Sequence, residues 1–144
     1  MPKKIVVGYD DSDSSKATLD FAIELAKSQS AAIVIAHVLE WSPYSFLTPN
    51  EIEERHKRRN EELHRAETAV LAPVVKGLEG SGVEVSTALK YGGIADTLCD
   101  IVKAEGAVQI VVGRTGSSGL SSRIFGSVAG TLAQISPVPV TIVP

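Results

Sequence analysis

The run Ile-Val-Val-Gly occurs twice in this chain, at residues 5–8 and again at 110–113. Each copy is short, continuous and β-branched, which suits a strand covered on both faces in a parallel sheet. Each ends in glycine and opens into a polar turn. The first turn is Asp10-Asp11-Ser12-Asp13-Ser14-Ser15, a cluster rich in N-cap residues. The second is a Gly/Ser loop, GRTGSSGLSSRIFGS, that runs from Gly113 to Ser127. A strand that feeds a turn and then a helix, twice over, restricts the chain to folds in which strands and helices alternate.

The rest of the sequence keeps that alternation. Ala32 to Val38 reads as a second buried strand, and Val83 to Leu89 alternates as a third strand nearer an edge. Val108 to Gly113 and Pro139 to Val143 make the fourth and fifth. A helix should run from the Ser cluster to about Lys27, with Thr18 or Leu19, Ala22, Leu25 and Ala26 on one face. Thr48-Pro49-Asn50-Glu51 is a helix start: threonine caps, proline takes the first position and glutamate closes the capping box. That helix should kink or end at Pro73. Tyr91-Gly92-Gly93 reads as a turn, followed by a short helix with Ile94, Leu98, Ile101 and Val102 that stops at Gly106. Ile124, Val128, Leu132 and Ile135 form one apolar stripe on the last helix. Alternation of this kind implies right-handed crossovers and a parallel sheet. The expected fold is α/β: a doubly wound, Rossmann-like five-stranded parallel sheet of order 3-2-1-4-5, helices on both faces, with residues 1–144 as one domain.

Composition bounds the function. With 144 residues, 44% hydrophobic and 22% charged, the chain has the make-up of an ordinary globular domain. A net charge of −3 gives no reason to expect a nucleic-acid backbone or an anionic membrane as partner. One cysteine excludes an internal disulfide and suits a reducing compartment. The apolar run at Ile5–Val7 is too short for a signal-peptide core, and no stretch has the length of a membrane span. The expectation is a cytoplasmic protein without membrane insertion.

Several residues invite chemistry and are better read as structure. His37 lies inside a strand, where a histidine is a satisfied core or edge residue rather than a catalyst. Asp10-Asp11-Ser12-Asp13 has the look of a calcium loop, but Lys16 and Thr18 stand where glycine and ligands belong. Lys57-Arg58-Arg59 is surrounded by glutamates, and His56 and His64 are two turns apart, too far for one metal site. Trp41, Tyr44 and Phe46 either stack a ligand or cap the core. Cys99 has no activating neighbour in sequence and reads as a small core residue.

The Gly/Ser loop has two readings. Such segments serve as flexible connectors. They also bring backbone N–H groups and a helix N-terminus to a phosphate. Position decides between them. In open parallel sheets ligands bind beyond the carboxyl ends of the strands, where the winding reverses. If strands one and four are neighbours, both glycine-ended turns flank that crevice, and Asp10 and the loop face one ligand. The loop contains neither GxxxxGK[ST] nor GxGxxG. Its pattern is G-x2-G-x9-G-S, on Gly113, Gly116, Gly126 and Ser127.

With that motif after the fourth strand, the chain resembles the universal stress proteins of the ATP-binding branch, from the VVGYDDSDSS start to the PVPVTIVP end. The resemblance implies a nucleotide site that Gly8, Tyr9 and Asp10 open, with Asp10 against base and ribose. It places Val38 on the adenine and Val112 and Gly113 on the ribose side. Thr115 and Gly116 would begin the phosphate loop, and Gly126, Ser127 and Val128 would meet the phosphates. The implied ligand is ATP, or AMP or ADP, with Mg2+ held mainly by the phosphates. The family's last strand pairs with a second copy, so Val140–Val143 imply a homodimer, open to higher assembly and to an unidentified protein partner. A stress-response module in which ATP sets a signalling or interaction state follows, with hydrolysis slow or absent and no catalytic or metal-ligating residue of its own. Arg114 and Arg123 could supply charge, and Asp10 or Asp13 could hold magnesium, but no base is identifiable from spacing. The alternatives are an ATPase or nucleotidyl-transfer enzyme of the same fold and a nucleotide-free dimeric scaffold.

Overall fold

A computed structural model describes residues 3–10, 12–40, 49–114 and 127–144. The elements alternate as the sequence requires: β1 (Lys4–Gly8), α1 (Asp13–Gln29), β2 (Ala32–Glu40), α2 (Pro49–Ala66), a π turn (Glu67–Leu71), α3 (Ala72–Gly77), β3 (Val85–Gly92), α4 (Ile94–Glu105), β4 (Gln109–Gly113), α5 (Ser127–Ile135) and β5 (Val140–Val143). The five strands form one sheet of order β3-β2-β1-β4-β5, all pairs parallel. The winding reverses between β1 and β4, with Val7 opposite Val111.

Burial follows from that order. Ile5, Val6 and Val7 of β1, and Ile33, Val34 and Ile35 of β2, are fully shielded from solvent. Their side chains alternate between two cores. Ile5, Val7, Ile33, Ile35 and Val111 face α1, whose buried residues Ser15, Thr18, Leu19, Ala22, Ile23 and Ala26 recur at three- and four-residue steps. Leu71 of the π turn completes that core. Val6, Val34, Ile110 and Val112 face the other way, onto Leu98, Ile101 and Val102 of α4 and Ala129 and Leu132 of α5. A β1 covered on both faces needs no polar residue, which is why its sequence is a plain apolar run.

Three expectations are corrected. The long helix does not end at Pro73: it widens into the π turn and runs on to Gly77. The Ala72 N–H reaches back to the Glu67 carbonyl, five residues away, and Pro73, with no N–H of its own, follows inside the altered register. β3 runs past Leu89 through Tyr91 and Gly92, since it pairs with β2 as far as Glu40 opposite Gly92. Gly92 has φ 152, and a Cβ there would stand 2.5 Å from Thr97 Oγ1, so this position admits only glycine. Ile135, expected in the apolar stripe, is 45% exposed because it sits in the last turn of α5 beyond the core. Thr48, Ile124 and the three loop aromatics lie outside the described residues.

Among the described residues no helix is long and apolar enough to cross a membrane.

Candidate functional site

The reversal between β1 and β4 sets two strand exits side by side. β1 leaves through Gly8, Tyr9 and Asp10, β4 through Val112 and Gly113. Gly8 is glycine because of its neighbour: a Cβ there would lie 3.1 Å from Val112 Cγ1 and 3.7 Å from Leu98 Cδ1. Val112 is nearly shielded, and Val38 and Val128 pack partly buried against the same cluster. The structure therefore gathers Gly8, Val38, Val112 and Val128 on the α4/α5 side of the sheet's carboxyl end. Gly113 ends β4 opposite Val143, and the Arg114 N–H donates to the Val143 carbonyl at 2.8 Å.

Tyr9 goes the other way. Its side chain is buried in the α1-side core, anchoring the exit from below. Its N–H donates to the Ala36 carbonyl at 2.9 Å, one rung beyond the β1–β2 register. Its carbonyl accepts from His37 Nδ1 at 2.6 Å.

Asp10 is held by donors around it. Its Oδ1 accepts from the Ser12 N–H at 3.1 Å, from the Ser12 hydroxyl at 2.5 Å and from the Ser15 hydroxyl. The Asp10 N–H in turn donates to Ser15 Oγ at 3.0 Å. Ser12 is also the N-cap of α1, where its Oγ accepts the Ser15 N–H at 3.1 Å. One carboxylate oxygen thus ties the end of β1 to the start of α1. The two serines were legible only as N-cap candidates. A D-x-S-x-x-S spacing directly after a buried strand is the signal that marks this grip.

Thr115, Gly116, Gly126 and Arg123 lie outside the described residues. Ser127 begins α5, and Asp13 stands in the first turn of α1. Among the described residues no group of three metal-ligating side chains comes together. Cys99 is buried as expected, and desolvation pushes its thiol above the ordinary range.

A second polar cluster, unannounced by any motif, sits at the carboxyl end of β3. The Tyr91 hydroxyl donates to Glu62 of α2, and the Arg59 guanidinium lies 4.9 Å from the Tyr91 ring centroid. That hydrogen bond to Glu62, followed by desolvation, raises the phenol pKa. The cluster fastens α2 to the sheet, on the core face opposite Val38.

Taken together, these features define a doubly wound α/β domain whose winding reverses between β1 and β4. Comparison with known proteins gives the family. The model of the universal stress protein family matches residues 1–144, and the chain belongs to that family. The universal stress protein YxiE of Bacillus subtilis (strain 168) is 33% identical over 99% of both chains. The solved universal stress protein UspA from Lactobacillus plantarum has the same fold: TM-score 0.82, 24% identity, 99% of this chain and 97% of that one. A universal stress protein from Archaeoglobus fulgidus, solved in complex with dAMP, superposes with TM-score 0.63 at 25% identity over 99% of this chain and 98% of its own.

Proposed function

We propose that this chain binds ATP at the carboxyl ends of β1, β2 and β4 and works as a nucleotide-dependent regulatory module. The observation that carries the reading is the convergence at the winding reversal. Val38, Val112 and Val128, far apart in sequence, pack on one cluster, and Asp10 and Gly113 follow the neighbouring strands β1 and β4, the kind of reversal at which doubly wound sheets take ligands. The relative solved with dAMP supports an adenine nucleotide as the ligand class.

In this reading Val38 offers the apolar surface on which the adenine packs, Val112 and Gly113 line the ribose side, and Asp10 stands against base and ribose. Thr115, Gly116, Gly126, Ser127 and Val128 carry the phosphates. The donor set fits a nucleotide better than a resident metal. Asp10 Oδ1 already accepts three donors, which leaves Mg2+ to the phosphates. β5 is a half-buried edge strand. Its open side suits pairing with a second copy, so the module is proposed as a homodimer.

The test is thermal unfolding with and without Mg-ATP, with the nucleotide recovered and analysed. Ligand at a hundred times its Kd stabilises by about 2.7 kcal/mol, roughly 5–10 °C for a chain this size. Gly126→Val, which sets a branched side chain where phosphate belongs, should remove the whole shift. Intact ATP with a shift supports the module; steady ADP or AMP would replace it with an enzyme. No shift in the wild type at millimolar ATP would overturn the reading in favour of a nucleotide-free scaffold.

A further inference from the structure

We propose that His37 is a positioning residue of the nucleotide site, which aims Asp10 by gripping the peptide in front of it. The proposal rests on the nucleotide reading above and names a residue that touches no ligand.

One peptide plane, between Tyr9 and Asp10, is gripped at both ends. Its oxygen accepts from His37 Nδ1 at 2.6 Å, and its N–H donates to Ser15 Oγ at 3.0 Å. A peptide unit carries one donor and one acceptor that point opposite ways, so partners on both ends fix its rotation. Both partners here are side chains, from two different elements. His37 comes from β2, where it stands opposite Leu89, and Ser15, 6% exposed, comes from the first turn of α1. The residues on either side are fixed as well. Tyr9 is buried and its N–H is bound to Ala36; the Asp10 carboxylate is bound to Ser12 and Ser15.

The role of His37 is specific to one ring nitrogen. A carbonyl oxygen only accepts, so Nδ1 must carry the proton. In the neutral ring that fixes the tautomer and leaves Nε2 as an acceptor. In regular parallel pairing the Tyr9 oxygen would be offered to the backbone of β2. The imidazole takes it as β1 leaves the sheet, at the level of Val38. The grip therefore acts where β1 and β2 part, which is the mouth of the crevice. Without it that peptide loses its side-chain bond to β2, and the turn that carries Asp10 is less firmly tied to the strand that carries Val38.

The test uses the full chain and Mg-ATP as probe, with affinity from calorimetric titration and Tm from unfolding. His37→Leu and His37→Gln should each weaken Mg-ATP binding roughly five- to tenfold, the loss expected of one hydrogen bond that sets a binding group. His37→Asn should bind within about twofold of wild type, because its amide nitrogen stands where Nδ1 stood, whereas the glutamine amide reaches the place of Nε2. A core variant, Val34→Ala, should lower Tm yet keep wild-type affinity, which separates aim from stability. Imidazole 15N shifts of the wild type should show His37 protonated at Nδ1.

Leucine at full affinity, asparagine as weak as leucine, or a proton on Nε2 would each overturn the proposal while leaving the nucleotide site standing. Wild type that fails to bind Mg-ATP would overturn the site and the positioning role together. If the leucine variant does not fold, the asparagine–glutamine pair and the wild-type 15N shifts decide alone.

Discussion

Two strands of this sheet end in polar clusters, and the clusters are built on opposite terms. At the exit of β1, Asp10, Ser12 and Ser15 bond one another and His37 bonds the Tyr9 carbonyl just before them, with Ser15 nearly shielded from water. At the exit of β3, Tyr91, Glu62 and Arg59 meet near the surface. The first cluster joins elements that are already packed and fixes a backbone direction. The second joins the sheet to α2, a helix in which Ala66 alone is buried, so contacts at its rim hold it in place. A hydrogen bond that water cannot replace costs far more to remove than one that water can. The β1 exit is thus suited to hold a ligand-reading geometry, the β3 exit to hold a helix by an exchangeable link.

That contrast can be broken from either side. The largest effect should come from closing the gap beneath the first cluster. Gly8→Val drives methyl groups into Val112 and Leu98 and should cost about 2 kcal/mol, visible as a lower midpoint in urea. Ser15→Ala comes next. It strips a donor from Asp10 Oδ1 and an acceptor from the Asp10 N–H in a buried place, for about 1.5 kcal/mol. If it costs nothing, the β1 cluster is no tighter than its surface counterpart. Tyr91→Phe should cost least, under about 1 kcal/mol, since it removes one exposed hydrogen bond and leaves the ring under Arg59.

The Tyr91 link also has a signature in pH. Its phenol pKa is raised in the folded protein, first by the bond to Glu62 and then by desolvation. A raised folded value means that the contribution is complete below the ordinary phenol pKa of about 10 and is lost as pH climbs through the folded one. The stability gap between wild type and Tyr91→Phe should stay constant over neutral pH and close in strong alkali. A gap that widened with pH would show that the folded protein favours the phenolate, with the Arg59 and Arg55 charges outweighing Glu62.

How much of this could be read from residues alone depends on distance along the chain. The sheet was legible because β-branched runs and glycine exits are local, and the strand order followed from their alternation. The convergence of Asp10 with Val112 and Gly113 was legible once that order was in hand. The tie between His37 and Tyr9 was not: it spans 28 residues and depends on which ring nitrogen faces a carbonyl. Nor was the end of β3, since Tyr91-Gly92-Gly93 carries turn chemistry, yet Gly92 is used inside a paired strand for its fit against Thr97. Ile135 kept the helical period but ran past the core that would cover it.

The π turn at Glu67–Leu71 has a consequence for α2 that its charged sequence hides. It amounts to one extra residue threaded into a continuous helix. It works as a phase shifter: everything before it is rotated by roughly 100°, one residue's share of a helical turn, against everything after it. The last residue of the turn, Leu71, and Val74 of the half that follows keep their grip on the α1-side core. The half that precedes brings Arg59 and Glu62 to face Tyr91. A chain shorter by one residue here would dock the same buried half and turn a different row of charges toward the end of β3. The length of this turn, more than the residues of α2, sets which charges stand there.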